Sequence, residues 1–137
     1  MRKVCHTRWL SLEQSVNSLF ETYAILSNTF QELKKDALAA GLLKKMKTVK
    51  FLGTIHILKN VVPCLTSLSK TFDAWALDFL HAGPAINDTQ ASLEAVKSSH
   101  SPLRKLHEDI KPEGRLGGQE LTITDNDKKI FGNLFSA

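Results

Sequence analysis

The feature that most constrains this chain is a rhythm. Leu12, Val16, Leu19, Tyr23, Leu26, Phe30 and Leu33 follow one another at alternating steps of four and three residues. An α-helix with one dry face places such a series on a single stripe. Ser11 is a good N-cap for it, and Gln14 three residues later completes a capping box. The pattern predicts a helix from about Ser11 to Lys35, roughly 35 Å long at 1.5 Å per residue. A second stripe keeps the same steps through Phe51, Ile55, Leu58, Val62, Leu65, Ser69, Phe72, Ala76 and Phe79, with Thr48 as its cap. Pro63 inside it removes a backbone hydrogen bond and predicts a kink or a break.

Shorter helices fill the remainder. Asp36 is expected to cap a shorter second helix, DALAAGLLKKMK, with Leu38, Leu42 and Leu43 inward, and Gly41 weakens it by up to about 1 kcal/mol relative to alanine. Gly83-Pro84 is expected to end the second long element and start a helix carrying Ile86, Leu93 and Val96. Ser101-Pro102 repeats a cap-and-proline start ahead of Leu103, Leu106, His107 and Ile110. KPEGRLGG then reads as a loop, ELTIT as one short strand near 119–123, and TDNDKKIFGNLF as a last helix cut short at Ala137. The expected fold is mainly α: an antiparallel long-helix bundle over 1–110 with shorter flanking helices. Residues 111–137 supply the loop, the strand and the truncated helix, and the whole reads as a partial domain. The strand is expected to pair outside the chain or to lie as an exposed edge.

The charge is uneven. Residues 1–71 hold eleven Lys/Arg against four Asp/Glu, and residues 72–137 hold seven against ten. A basic front half suits nucleic acid or another acidic partner, and Lys44, Lys45, Lys47 and Lys50 are its basic surface candidates. The plainer alternative is that these lysines are the solvated faces of ordinary helices. Lys47, Lys50, Lys59 and Lys70 interrupt the most hydrophobic region, so no membrane span is expected, and no signal peptide is seen. Cys5 and Cys64 fit two reduced thiols better than a disulfide framework.

Catalytic and metal patterns are sparse. The five histidines form no His-x-x-x-His pair, there is no Cys-x-x-Cys, and Cys5-His6 has poor ligand spacing. No metal site and no cofactor are expected, and His56 is expected to be a core histidine with a satisfied nitrogen. GRLGGQE has its glycines in the wrong context for a phosphate loop, following a helix and preceding a strand. Glu108-Asp109 and Asp125/Asp127 are expected to act electrostatically at helix termini.

TRWLS, residues 7–11, is the exception. Arg8 and Trp9 stand just ahead of the expected cap. Trp9 either staples the first turn or offers a stacking platform beside a cation, which suits splayed nucleic-acid bases. TRWLSLEQSV, the long helix after it and GLLKKMKTVKFLGTIHILKNVVPCLTSLSKTF resemble hAT-superfamily transposases. Host proteins derived from these transposases, often with zinc fingers near the N-terminus, are more similar still. QASLEAVKS and GGQELTITDNDKKIFGNLF are similar to the same proteins. The resemblance implies an all-α insertion within an RNase H-like domain, with the Arg-Trp motif early in the insertion. It implies that Arg8 and Trp9 are DNA-contact candidates. The family's metal-binding acids lie two before the insertion and one after it, which implies no catalysis by this chain. It also implies a nuclear location, DNA or a protein as partner, and a dimerisation segment that is not present here.

Overall fold

The computed structural model describes residues 4–74, 79–99, 101–110, 115–116, 119–125 and 129. Five helices are described: α1 (Val4–Glu32), α2 (Ala37–Met46), α3 (Val49–Ala74), α4 (Phe79–Ser99) and α5 (Ser101–Asp109). Two short strands follow, β1 (Arg115–Leu116) and β2 (Gln119–Glu120). The molecule is mainly α, as the periodicity requires.

The two long helices run antiparallel. Gln31 of α1 meets Lys47 just ahead of α3, and Phe20 of α1 meets His56 and Lys59 of α3. As the number falls on one helix it rises on the other. α3 is the central element and touches all four other helices. Its buried face is therefore wider than a single stripe: Val49, Leu52, Ile55, His56, Val62 and Thr66 are all buried. By length and composition α3 is also apolar enough to cross a membrane over Val49–Asp73, which corrects the expectation from its lysines. Its place, with helices packed around it, is that of a core helix.

Several boundaries differ from the pattern. α1 begins at Val4, so Ser11 is interior and its carbonyl accepts a bond from Ser15 Oγ at 2.8 Å. Nothing between Val4 and Ser11 breaks a helix, and arginine and leucine are good helix formers there. Trp9 stands seven residues before Val16, in heptad register with Val16, Tyr23 and Phe30, so the apolar stripe continues upstream of the capping signal. α1 ends at Glu32 rather than Lys35. α3 passes through Pro63 without a break, and α4 passes through Gly83-Pro84, which neither ends nor starts a helix. Phe79 belongs to α4, not to the second long stripe.

Other signals hold. The Asp36 carboxylate caps α2 by accepting from Leu38 N at 2.8 Å. Thr48 Oγ1 accepts from Phe51 N at 3.2 Å at the start of α3. Proline is tolerated in a first helical turn, and Pro102 occupies that place in α5 and is buried. Leu106 and Ile110, one helical turn apart, point inward there.

The strand correction is clear. β2 pairs antiparallel with β1, Arg115 opposite Glu120 and Leu116 opposite Gln119. Thr122 then makes an isolated parallel bridge with Thr48, its N–H donating to Lys47 O at 2.9 Å. The segment thus finds its partners within the chain. Leu121 enters one buried cluster with Tyr23, Met46, Leu52, Leu106 and Ile110, which binds the hairpin to α1, α2, α3 and α5. The expected last helix over TDNDKKIFGNLF lies mostly outside the described residues.

Candidate functional site

Three places draw attention: the Arg8–Trp9 motif, the lysines at the α2–α3 corner, and a cavity beside His56. The structure does not join the first two. Gln31 Oε1 lies 3.5 Å from Lys47 Nζ, and Arg8 is 23 residues earlier on the same helix. At 1.5 Å per residue that separation is about 35 Å. Arg8 is exposed, whereas Trp9 is half-buried on the continuing apolar stripe. Neither stands outside the helical register at a cap, so the lip of a helix, the setting that suggested stacking, is corrected to helix interior.

The corner is more open. Lys44 and Lys45 fill the last turn of α2, Lys47 is its C-cap, and Lys50 opens α3. Lys44, Lys45 and Lys50 are exposed, and Lys47 is half-buried against Gln31. Cations in a last helical turn also offset the negative end of the helix dipole, so Lys44 and Lys45 have a local structural role. Glu120 and Asp125 are exposed on the segment that crosses this corner at Thr122.

The cavity has a volume of about 200 Å³ and lies between α1, α3, the end of α5 and β1. Its walls include Phe20, Tyr23, Leu52 and Ile55, with His56 and Asp109 among the polar groups. His56 is buried and each ring nitrogen faces an acceptor oxygen. Nδ1 lies 2.9 Å from Leu52 O and Nε2 lies 3.2 Å from Asp109 Oδ2. Both oxygens are acceptors and a neutral imidazole carries a single N–H, so the tautomer decides which of the two bonds is made. Phe20 meets the imidazole edge-on at 4.9 Å between centroids, and Lys59 Nζ sits 3.6 Å from the centre of the Phe20 ring. His56 is thus the satisfied core histidine the sequence suggests. Asp109, a helix-end charge by its position, also ties α5 to α3, and no spacing rule links residues 53 apart.

Tyr23 also lines the cavity. Its hydroxyl donates to Met46 O at 3.0 Å. Burial pushes that hydroxyl above its ordinary value of 10.0, with the neighbouring Ser27 hydroxyl opposing the shift. Ser27 Oγ and Thr66 Oγ1 are buried without a well-formed hydrogen bond among the described residues. Cys64 is unbridged. The described residues contain no group of three or more His, Cys, Asp or Glu able to hold a metal ion.

One inward assignment is reversed. Ala39, Leu43 and Met46 are the buried face of α2, whereas Leu38 and Leu42 face out, 72% and 41% exposed. In ALAAGLLKKM the two strips are nearly equal in apolar character, and Ala39 is a weak signal beside a leucine. Met46, seven residues after Ala39, is the clue that separates them.

A mainly helical module with an open basic corner is the class of protein these features define. Comparison with protein-family models, with curated proteins and with solved structures returned no match for the chain.

Proposed function

We propose that this chain is a non-catalytic helical module of a transposase-derived nuclear protein, and that it contacts DNA phosphates at the α2–α3 corner. The observation that carries this reading is the outward placement of Lys44, Lys45 and Lys50 within seven residues, without an ion pair among the described residues. Compact lysines on exposed helix ends suit phosphate contact, which needs charge more than shape. The transposase origin, the nuclear location and the lack of catalysis rest on the resemblance of TRWLSLEQSV and the segments after it. In that resemblance the metal-binding acids flank the helical insertion.

Fluorescence anisotropy with a labelled duplex tests it. Lys44→Ala, Lys45→Ala and Lys50→Ala combined should weaken binding by roughly tenfold at 0.1 M salt for each phosphate that is no longer neutralised. Wild-type affinity in the triple variant sinks the reading. Trp9→Ala separates the two ends of α1: it should lower stability and leave DNA affinity unchanged. Loss of affinity in folded Trp9→Ala protein would move the contact to the Arg8–Trp9 end.

A second reading has its own support. Leu38 and Leu42 project outward from α2, and such side chains suit a protein partner. On this reading the helical body is an interaction scaffold without DNA contact.

A further inference from the structure

The outer face of α2 combines exposed leucine with an excess of positive charge, although Glu120 and Asp125 lie on the segment that crosses the nearby corner. Leu38, Leu42 and Lys45 recur at i, i+4 and i+7, so they share one strip of the helix. Gly41 adds to this openness: a Cβ built there meets nothing within 4 Å. Lysines rim both ends of the strip. Lys34 and Lys35 precede α2, and Lys44 and Lys45 end it, all exposed. Residues 32–50 hold six lysines against two carboxylates, and the Asp36 carboxylate is engaged as the cap of α2.

We propose that this face docks an acidic amphipathic helix of a partner protein. The partner's apolar side chains cover Leu38 and Leu42, and its carboxylates meet Lys35, Lys44 and Lys45. This deepens, and rests on, the protein-partner part of the scaffold reading alone; the leucines, unlike Lys44 and Lys45, take no part in the DNA contact proposed above. Charge complementarity selects an acidic partner. The leucines select a protein, because a phosphate backbone makes no use of them. A lipid surface fits less well, since membrane affinity scales with buried apolar area and this face offers two leucines.

The test uses the full chain and an 18-residue helical peptide with leucines at i, i+4 and i+7 flanked by glutamates. One control peptide has every glutamate changed to glutamine, and another has every leucine changed to serine. Calorimetric titration should show binding by the first peptide that weakens with salt. Leu38→Ser with Leu42→Ser should weaken it by at least about tenfold, since two large apolar side chains lose their cover. Both leucines are exposed, so the variant should keep its melting temperature, and its DNA affinity should stay at the wild-type value. That last readout keeps failure here distinct from failure of the DNA reading. No binding, equal binding by the serine control, or unchanged binding in the leucine variant overturns the proposal. So does use of these leucines for self-association or for anionic vesicles without peptide binding. If the peptide binds instead beside the exposed Leu80 and Ile86 of α4, the scaffold reading stands and this surface is wrong.

Discussion

Tyr23→Phe removes one oxygen and leaves the packing of the core ring in place. Tyr23 is buried in the cluster that joins α1, α2, α3, α5 and the hairpin segment. Its hydroxyl donates to the carbonyl of Met46, the last residue of α2. The final carbonyls of a helix have no donor within that helix. Tyr23 therefore serves as a cap supplied by another helix. Its loss removes a hydrogen bond worth about 1 kcal/mol net and leaves a buried acceptor without that donor, which costs about 1–3 kcal/mol. We expect a loss of about 2 kcal/mol at neutral pH. With an unfolding entropy of about 2.1 cal/mol/K per residue, this lowers the melting temperature by roughly 7 °C. The pH dependence provides a second readout. Burial raises the folded-state pKa of Tyr23 above 10.0. Above pH 10 the unfolded chain releases this proton more readily than the folded one, so wild-type stability falls as pH rises through that range. Phenylalanine has no such proton, so the gap between wild type and variant should narrow above pH 10. Urea unfolding followed by circular dichroism at pH 7 and pH 10.5 measures both. A difference under about 0.5 kcal/mol at pH 7 would refute the cap. A gap that stays constant into alkali would refute the burial argument.

Three further substitutions probe the body of the fold. Leu106→Ala should destabilise by about 2–5 kcal/mol in urea unfolding, because Leu106 is 1% exposed at the centre of the cluster. Gly41→Ala should stabilise by about 0.5–1 kcal/mol, seen as a higher melting temperature, because the added methyl meets open space within α2. His56→Ala should cost more than Asp109→Ala. The first removes a buried side chain with an acceptor beside each ring nitrogen, and the second removes a half-exposed carboxylate; a larger loss for Asp109→Ala would contradict the dominance of His56 burial.

The helical class was readable because the four-three rhythm reflects the geometry of helix packing, and Tyr23, Phe30, Ile55 and Val62 behave as that rhythm requires. Caps that depend on one local bond were readable too, as at Asp36 and Thr48. What misled were signals that tertiary contacts can override. Ser11 and Gln14 form a good capping box, yet Trp9 extends the apolar stripe and the helix continues past them. Pro63 and Pro84 lie within longer helices, and the local loss of one backbone hydrogen bond ends neither of them. The pairing of His56 with Asp109 and the cap from Tyr23 to Met46 were not readable, because they join residues 53 and 23 positions apart. At the candidate corner the lysines were visible in the sequence. Their separation from Arg8 and Trp9 follows from the unbroken length of α1.

The most direct test of the DNA-binding claim is the salt dependence of duplex affinity, measured by anisotropy from 50 to 300 mM potassium chloride. Three phosphate contacts from Lys44, Lys45 and Lys50 predict a slope of log Kobs against log salt at least as steep as about −2.7. The triple alanine variant should flatten that slope by about the same amount. Equal slopes in the two proteins, or no measurable binding by wild type at 50 mM salt, would contradict the claim that this corner contacts DNA phosphates.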